Sequence, residues 1–158
     1  MNKIIIIGGG AAGFFTAINA KENNPDLEIT ILEKGKEVLQ KVKVSGGGRC
    51  NVTHACFDPK ELCEFYPRGK KELLGPFHQF MTGDTFEWFE NRGVPLKIEN
   101  DNRVFPEANT SQAIIDCFQN AVDNLGITLL KNCGVHAVYQ QKISGLLIQR
   151  ISNSLPMQ

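Results

Sequence analysis

The chain has 158 residues, and 17 Lys plus Arg balance 17 Asp plus Glu to a formal net charge of zero. That length suits one modest domain, and the balanced charge gives no basic face for nucleic acid. No apolar run approaches the roughly 20 residues of a membrane span, and Met1–Ile7 flows into glycines rather than a cleavage-like segment, so the expectation is a cytoplasmic protein without membrane or nucleic-acid partners.

Lys3–Ile7 is an apolar run ending in glycines, and it reads as a buried strand. Ala11–Glu22 reads as a helix, with Phe14, Phe15 and Ile18 at helical spacing, broken by Asn24, Pro25 and Asp26. Glu28–Leu32 alternates into a second strand. Strand, glycine turn, helix and strand predict a parallel pair with a right-handed crossover, hence an α/β fold with a parallel sheet. Within this unit lies GxGxxG, formed by Gly8, Gly10 and Gly13, and the acid Glu33 follows Gly13 by twenty residues.

Each position has a physical task. Gly8 permits the turn out of the strand, Gly10 lets a pyrophosphate approach the backbone, and Gly13 lets the helix pack close to the sheet. The amides of the first helical turn, around Ala11 and Ala12, face the phosphates along the helix dipole. Glu33 can accept hydrogen bonds from both ribose hydroxyls and disfavours a 2′-phosphate. Lys34 stands beside it as a further candidate, and Lys41 and Lys43 can assist phosphate binding or simply be exposed. The motif alone does not separate FAD from NAD.

Further along, a short helix around Glu37–Lys41 is expected to lead into Ser45–Asn51, with Asn51–Pro67 irregular. Lys70–Met81 and Asp84–Asn91 look helical, with Thr82 as N-cap of the second and Gly93 as C-cap. Phe77, Phe80, Phe86, Trp88 and Phe89 fall near helical spacing and read as core. Leu96–Ile98 and Arg103–Phe105 suggest a hairpin ended by Pro106. Thr110 or Ser111 can cap a helix carrying Ile114, Ile115, Phe118, Val122 and Leu125, closed by Gly126. Ile127–Leu130 then reads as a third parallel strand, and Val135–Tyr139 with Leu146–Ile151 as a meander added at the sheet edge.

Gly46, Gly47 and Gly48 together cost backbone entropy, which suggests a tight path or a close approach to a flavin or its phosphates; a purely structural loop is the other reading. Arg49 can neutralise pyrophosphate charge or pair with an internal acid. Asn51 and Thr53 can hold the loop by local hydrogen bonds. Cys50 is either a redox thiol favoured as thiolate by Arg49 or a packing residue, and it lacks a resolving partner at CxxC spacing. The five cysteines, Cys50, Cys56, Cys63, Cys117 and Cys133, suggest no disulfide framework. Cys50, His54 and Cys56 have the wrong spacing for a zinc knuckle, and His78 and His136 stand alone, so no metal is expected. His54 and Arg103 are weak candidates for catalysis, and no acid/base pair stands out.

Four stretches together resemble the HI0933-like (BaiN/RdsA-type) family of flavoproteins, often named aminoacetone oxidase family FAD-binding enzymes. They are IIIIGGGAAG (Ile4–Gly13), ILEKG (Ile31–Gly35), KVSGGGRCNVTH (Lys43–His54) and NRVFPEANTSQAIIDCF (Asn102–Phe118). The resemblance implies noncovalent FAD in a Rossmann-like domain interrupted by an inserted substrate domain, with NAD(P)H as electron donor to an oxidoreductase of undefined small-molecule substrate. It implies that Gly8, Gly10 and Gly13 carry the pyrophosphate and Glu33 the ribose, and that Ser45, Gly46, Gly47, Gly48, Arg49, Cys50 and Asn51 pass near the flavin. Against that pattern the chain stops early, before the returning strand, the inserted domain and the C-terminal completion, and its closing NSLPMQ does not match. The expectation is therefore the N-terminal part of an FAD-binding domain over residues 1–158. The alternatives are an inactive fragment that self-associates through an open sheet edge and a nonflavin NAD-binding module.

Overall fold

A computed structural model describes residues 2–140 and 146–150. Its elements are β1 (Lys3–Ile7), α1 (Ala11–Asn23), β2 (Glu28–Leu32), α2 (Gln40–Val44), a 3-10 turn at Ser45–Gly48, β3 (Thr53–His54) and α3 (Pro59–Glu64). There follow α4 (Lys70–Phe77), α5 (Thr82–Glu90), β4 (Leu96–Ile98), β5 (Arg103–Pro106) and α6 (Ser111–Asn124). The last strands are β6 (Thr128–Leu130), β7 (Val135–Gln140) and β8 (Leu146–Arg150). The chain divides into two compact units, residues 1–41 with 118–158, and residues 42–117.

The first unit is a parallel sheet in the order β1-β2-β6, the Rossmann-like α/β arrangement. Its register sets Ile7 beside Leu32 and Leu32 beside Leu130, so all three strands end on one edge. Helix α1 forms because Phe14, Ala17 and Ile18 recur at helical spacing and are all fully buried. The Phe14 ring meets Phe118 edge-to-face at 5.9 Å between centroids. The helix ends at Asn24, which takes an extended backbone ahead of Pro25. One expectation is corrected here. β1 is not a buried strand, because among the described residues it pairs only with β2, and Ile5 and Ile7 are exposed. The expected meander is also not an addition to the parallel sheet: β7 and β8 pair with each other as a separate antiparallel sheet. Ile151 and the closing NSLPMQ lie outside the described residues.

The second unit carries an antiparallel sheet in the order β3-β5-β4, whose β4–β5 hairpin turns across Glu99–Asn102 as the sequence suggests. Val104 and Phe105 of β5 are fully buried at its centre. Residues 51–67 are not irregular throughout. Asp58 Oδ1 accepts from the amides of Lys60 and Glu61 at 2.9 Å each, and with Pro59 at the first position it starts α3. Helix α4 stops at Phe77 rather than Met81. Pro76 lacks an amide, and the amides of Gln79 and Phe80 fold back onto its carbonyl in a tighter turn. Thr82 does not cap α5. Its buried hydroxyl donates to the His54 carbonyl at 2.9 Å, while Asp84 accepts from the Met81 amide at 2.8 Å at the helix start. Of the aromatic stripe only Trp88 and Phe89 are buried; Phe77 and Phe86 are half-buried, and Phe80 is exposed. Thr110 receives the Gln112 amide at the start of α6, and Gly126, at φ 64°, turns the chain after it.

All five cysteines are buried free thiols. Burial pushes the Cys50 and Cys117 thiols above their usual 9.0, opposed in part by a hydrogen bond with Ser45 and by the Arg92 charge respectively. Cys50 is therefore held as a thiol, contrary to the thiolate that Arg49 suggests.

Two outcomes follow. Phe14→Ala should lower the unfolding free energy by about 3–5 kcal/mol in denaturant titration, because it empties a fully buried ring site. Above about pH 9 the unfolded chain ionises thiols that the folded chain keeps protonated, so this stability contribution, complete below that value, should fall as pH rises. Denaturation compared at neutral and high pH should show the decline, and Cys117→Ala should flatten it.

Candidate functional site

Gly8 leaves β1 with its amide donating to the Leu32 carbonyl at 2.8 Å, and its φ of 111° is open only to glycine at low cost. Gly10 is the N-cap of α1, and the Phe14 amide closes the first turn onto its carbonyl at 3.1 Å. A Cβ on Gly13 would lie 2.1 Å from the Gly8 carbonyl oxygen, so no other residue permits this approach of helix and strand end. A Cβ on Gly10 would meet nothing within 4 Å. Gly10, Ala11 and Ala12 are exposed, and the first turn contains no acid. The first turn at the positive end of a 13-residue helix is thus exposed and free of acids.

Glu33 follows β2 on the same edge. Its Oε2 accepts from the Gly9 amide at 2.8 Å and its Oε1 from the Gly35 amide at 2.7 Å. One carboxylate thus joins the glycine loop to the end of β2. The Glu33 amide donates to Leu130, and the Cys133 amide donates to the Glu33 carbonyl at 2.7 Å. A cleft of about 240 Å³ opens beside this junction, lined by Gly8, Leu32, Glu33 and Lys34 and by Cys133, Gly134, Val135 and His136. The last four escaped the motif reading. The signal was present in the expected third parallel strand, because parallel strands deliver the loops after them to a common edge. Lys34 is exposed on this cleft, and Lys41 is exposed on α2.

The second glycine loop belongs to the other unit. Gly46, Gly47 and Gly48 stand at φ 56°, 68° and 86°, and Cys50 at 63°. This near-continuous left-handed run is the reason the backbone needs glycines. Gly46 has a steric reason besides: a Cβ there would lie 2.7 Å from the Phe105 ring and 2.8 Å from the Asn51 amide nitrogen. Arg49 lies over the same ring at 3.9 Å and donates to Glu99 at 2.6 Å. The internal acid is thus the Arg49 partner in this structure. Upstream, the buried Ser111 hydroxyl donates to the Lys43 carbonyl at 3.0 Å, and the Cys50 amide closes the loop onto Ser45 at 3.0 Å. Gly47 and Asn51 are exposed, and a Cβ on Gly47 would meet nothing within 4 Å. Arg103 pairs with Asp101, and the His54 ring packs on Phe65 at 4.3 Å. Among the described residues no group of three His, Cys, Asp or Glu side chains is placed to hold a metal ion. Among them also, no helix is long and apolar enough to cross a membrane.

The family model described as the HI0933-like protein Rossmann domain matches residues 2–157. The chain is 30% identical over 119 residues to the 3-dehydro-bile acid delta(4,6)-reductase of Clostridium scindens, covering 75% of this chain and 28% of that protein. It is 27% identical over 124 residues to the ribosomal RNA dihydrouridine synthase of Escherichia coli, covering 78% of this chain and 30% of that one. It therefore spans under a third of the length of these curated relatives. Its fold matches the 3-ketosteroid-delta4-(5alpha)-dehydrogenase of Rhodococcus jostii with a TM-score of 0.71 at 12% identity, over 96% of this chain and 42% of that one. The chain belongs to the HI0933-like Rossmann-domain family.

Proposed function

We propose that residues 1–158 are part of the FAD-binding domain of an NAD(P)H-linked oxidoreductase. The observation that carries this reading is the exposed turn Gly10–Ala12 at the positive end of α1, directly after the Gly9 amide that the Glu33 carboxylate accepts from. Such a turn suits a pyrophosphate, and a carboxylate with accepting capacity left on each oxygen suits the two hydroxyls of a ribose. Gly10 leaves the loop open to close approach, since even a Cβ there would meet nothing within 4 Å, while Gly13 is sealed against Gly8. Bound FAD supplies the electron-transfer chemistry itself.

The protein groups bind and orient. Gly10, Ala11, Ala12 and Gly13 receive the pyrophosphate on the turn that Gly8 opens, Glu33 receives the ribose, and Lys34 and Lys41 add positive charge on the exposed side. Ser45, Gly46, Gly47, Gly48, Arg49, Cys50 and Asn51 are assigned to the flavin end on the family resemblance. The left-handed backbone of Gly46, Gly47, Gly48 and Cys50 supports a role in close approach, with Arg49 bracing the loop through Glu99. The relatives support a cofactor role for this segment in another way. A bile acid reductase and a ribosomal RNA dihydrouridine synthase share it although their substrates differ, so the shared part fits what both reactions have in common.

A second reading, association of this chain with itself, is favoured by one observation. β1 has a free edge among the described residues, with Ile5 45% and Ile7 53% exposed.

FAD titration of the purified chain, read by flavin absorbance and fluorescence with NAD as control, should give saturable one-to-one binding. Gly10→Ala should cost at most about 1 kcal/mol of stability, because its methyl meets open space and only the cap preference is lost. It should nevertheless weaken FAD binding at least tenfold. A folded wild-type chain that binds no FAD would overturn the cofactor reading. Sedimentation of wild type and Ile5→Lys tests the second reading: self-association that the lysine abolishes supports edge pairing, and a wild-type monomer at all concentrations refutes it.

A further inference from the structure

The GxGxxG pattern assigns no task to Gly9, yet Gly9 is buried between two more open glycines. The segment after β2 engages both of its backbone polar groups. Its amide donates to Glu33 Oε2 at 2.8 Å, and its carbonyl accepts from the Leu39 amide at 2.8 Å. A Cβ on Gly9 would lie 2.8 Å from Val38 Cγ1, 3.1 Å from Glu33 Cβ and 3.2 Å from Glu33 Oε2. Leu39 makes its bond from a left-handed conformation, φ 56°, that leucine rarely adopts, and its side chain is 1% exposed. Burial and the bond to Gly9 hold it there against its own preference. The second Glu33 oxygen is anchored by the Gly35 amide at 2.7 Å, so backbone donors from both sides fix the carboxylate.

We propose that Glu33–Leu39 is a clamp that holds the first glycine loop in its phosphate-ready shape, with Gly9 as the residue gripped and Val38 as the reason a side chain is excluded there. The proposal rests on the dinucleotide reading of the loop and deepens it. Glu33 becomes a positioning residue as well as a ligand contact. The Gly9 amide is spent on the carboxylate, so phosphate donors start after it. The carboxylate keeps one accepting site per oxygen, in an orientation set before any ligand arrives, which favours a vicinal diol over a single hydroxyl.

The test compares wild type, Gly9→Ala, Val38→Ala, Gly9→Ala/Val38→Ala and Glu33→Gln in the 158-residue chain. The readouts are the FAD dissociation constant and ligand-free amide exchange by NMR. Gly9→Ala should weaken FAD at least tenfold and Val38→Ala less than threefold. The double variant should return to within threefold of Val38→Ala, because removing the valine methyls makes room for the new one. Exchange at one of Gly9 and Gly35 should be at least tenfold faster in Glu33→Gln than in wild type, because the single side-chain carbonyl keeps only one of the two bonds that the carboxylate accepts. The clamp is refuted if the double variant shows no recovery, or if both Gly9 and Gly35 exchange at the same rate with and without the carboxylate. Should Glu33→Gln fail to fold, recovery in the Gly9/Val38 pair decides. Should wild type bind no FAD while Gly9, Gly35 and Leu39 stay protected and Leu39 protection falls in Gly9→Ala but returns in the double variant, the dinucleotide reading fails and the clamp stands. Loss of that pattern refutes the clamp itself.

Discussion

The first turn of a helix can lie against the carbonyl just past a strand's end only where it carries no side chain, and Gly13 is that point. With 2.1 Å between a hypothetical Cβ and the Gly8 oxygen, any other residue would force α1 away from β1. The rest of the first unit depends on this approach. It seats Phe14, Ala17 and Ile18 in the core, and it aims the amide end of α1 past Gly10 at the edge where β1, β2 and β6 finish in register. The helix end that favours an anion and the carboxylate that favours hydroxyls therefore come to one place through backbone geometry.

The two glycine-rich loops meet different constraints. The first is held by main-chain groups and one carboxylate from the segment just after β2, the next strand of the same unit. The second is a left-handed run whose shape costs most residue types strain, and it is secured by side chains distant in sequence. Arg49 reaches Glu99 across fifty residues, and Ser111 reaches Lys43 across sixty-eight. Phe105 serves both ends of that arrangement, since its ring excludes a side chain from Gly46 and carries the Arg49 guanidinium. Three glycines in a row are needed there because of backbone angles at every position and crowding at one.

Much of the architecture was legible in the sequence. Period and punctuation located β1, α1, β2, the β4–β5 hairpin, α6 and β6, because short-range patterns govern helices and strands whose apolar faces are buried. Errors fell where a local preference lost to a specific partner. Thr82 resembles a cap but bonds to His54, and Asp58 caps a helix inside a stretch rich in turn residues. Leu39 in a left-handed conformation moved the short helix after β2 to Gln40–Val44. For Cys50 the sequence left a redox thiol and a packing residue open; the guanidinium of Arg49 is turned to Glu99 and burial keeps the proton on sulfur.

By itself the sequence determined the α/β class, the strand–loop–helix–strand unit, and the glycines and the acid that stand at the edge where its strands end. These rest on φ preferences, missing Cβ atoms and hydrophobic period, all properties of residues and their near neighbours. Tertiary structure alone decided that Gly9 is buried and gripped from both sides, that Cys133–His136 border the same cleft as Glu33, and that Arg49 is paired inside its own unit. Each depends on groups brought together by strand register or loop packing, and distance along the chain carries no record of those distances in space.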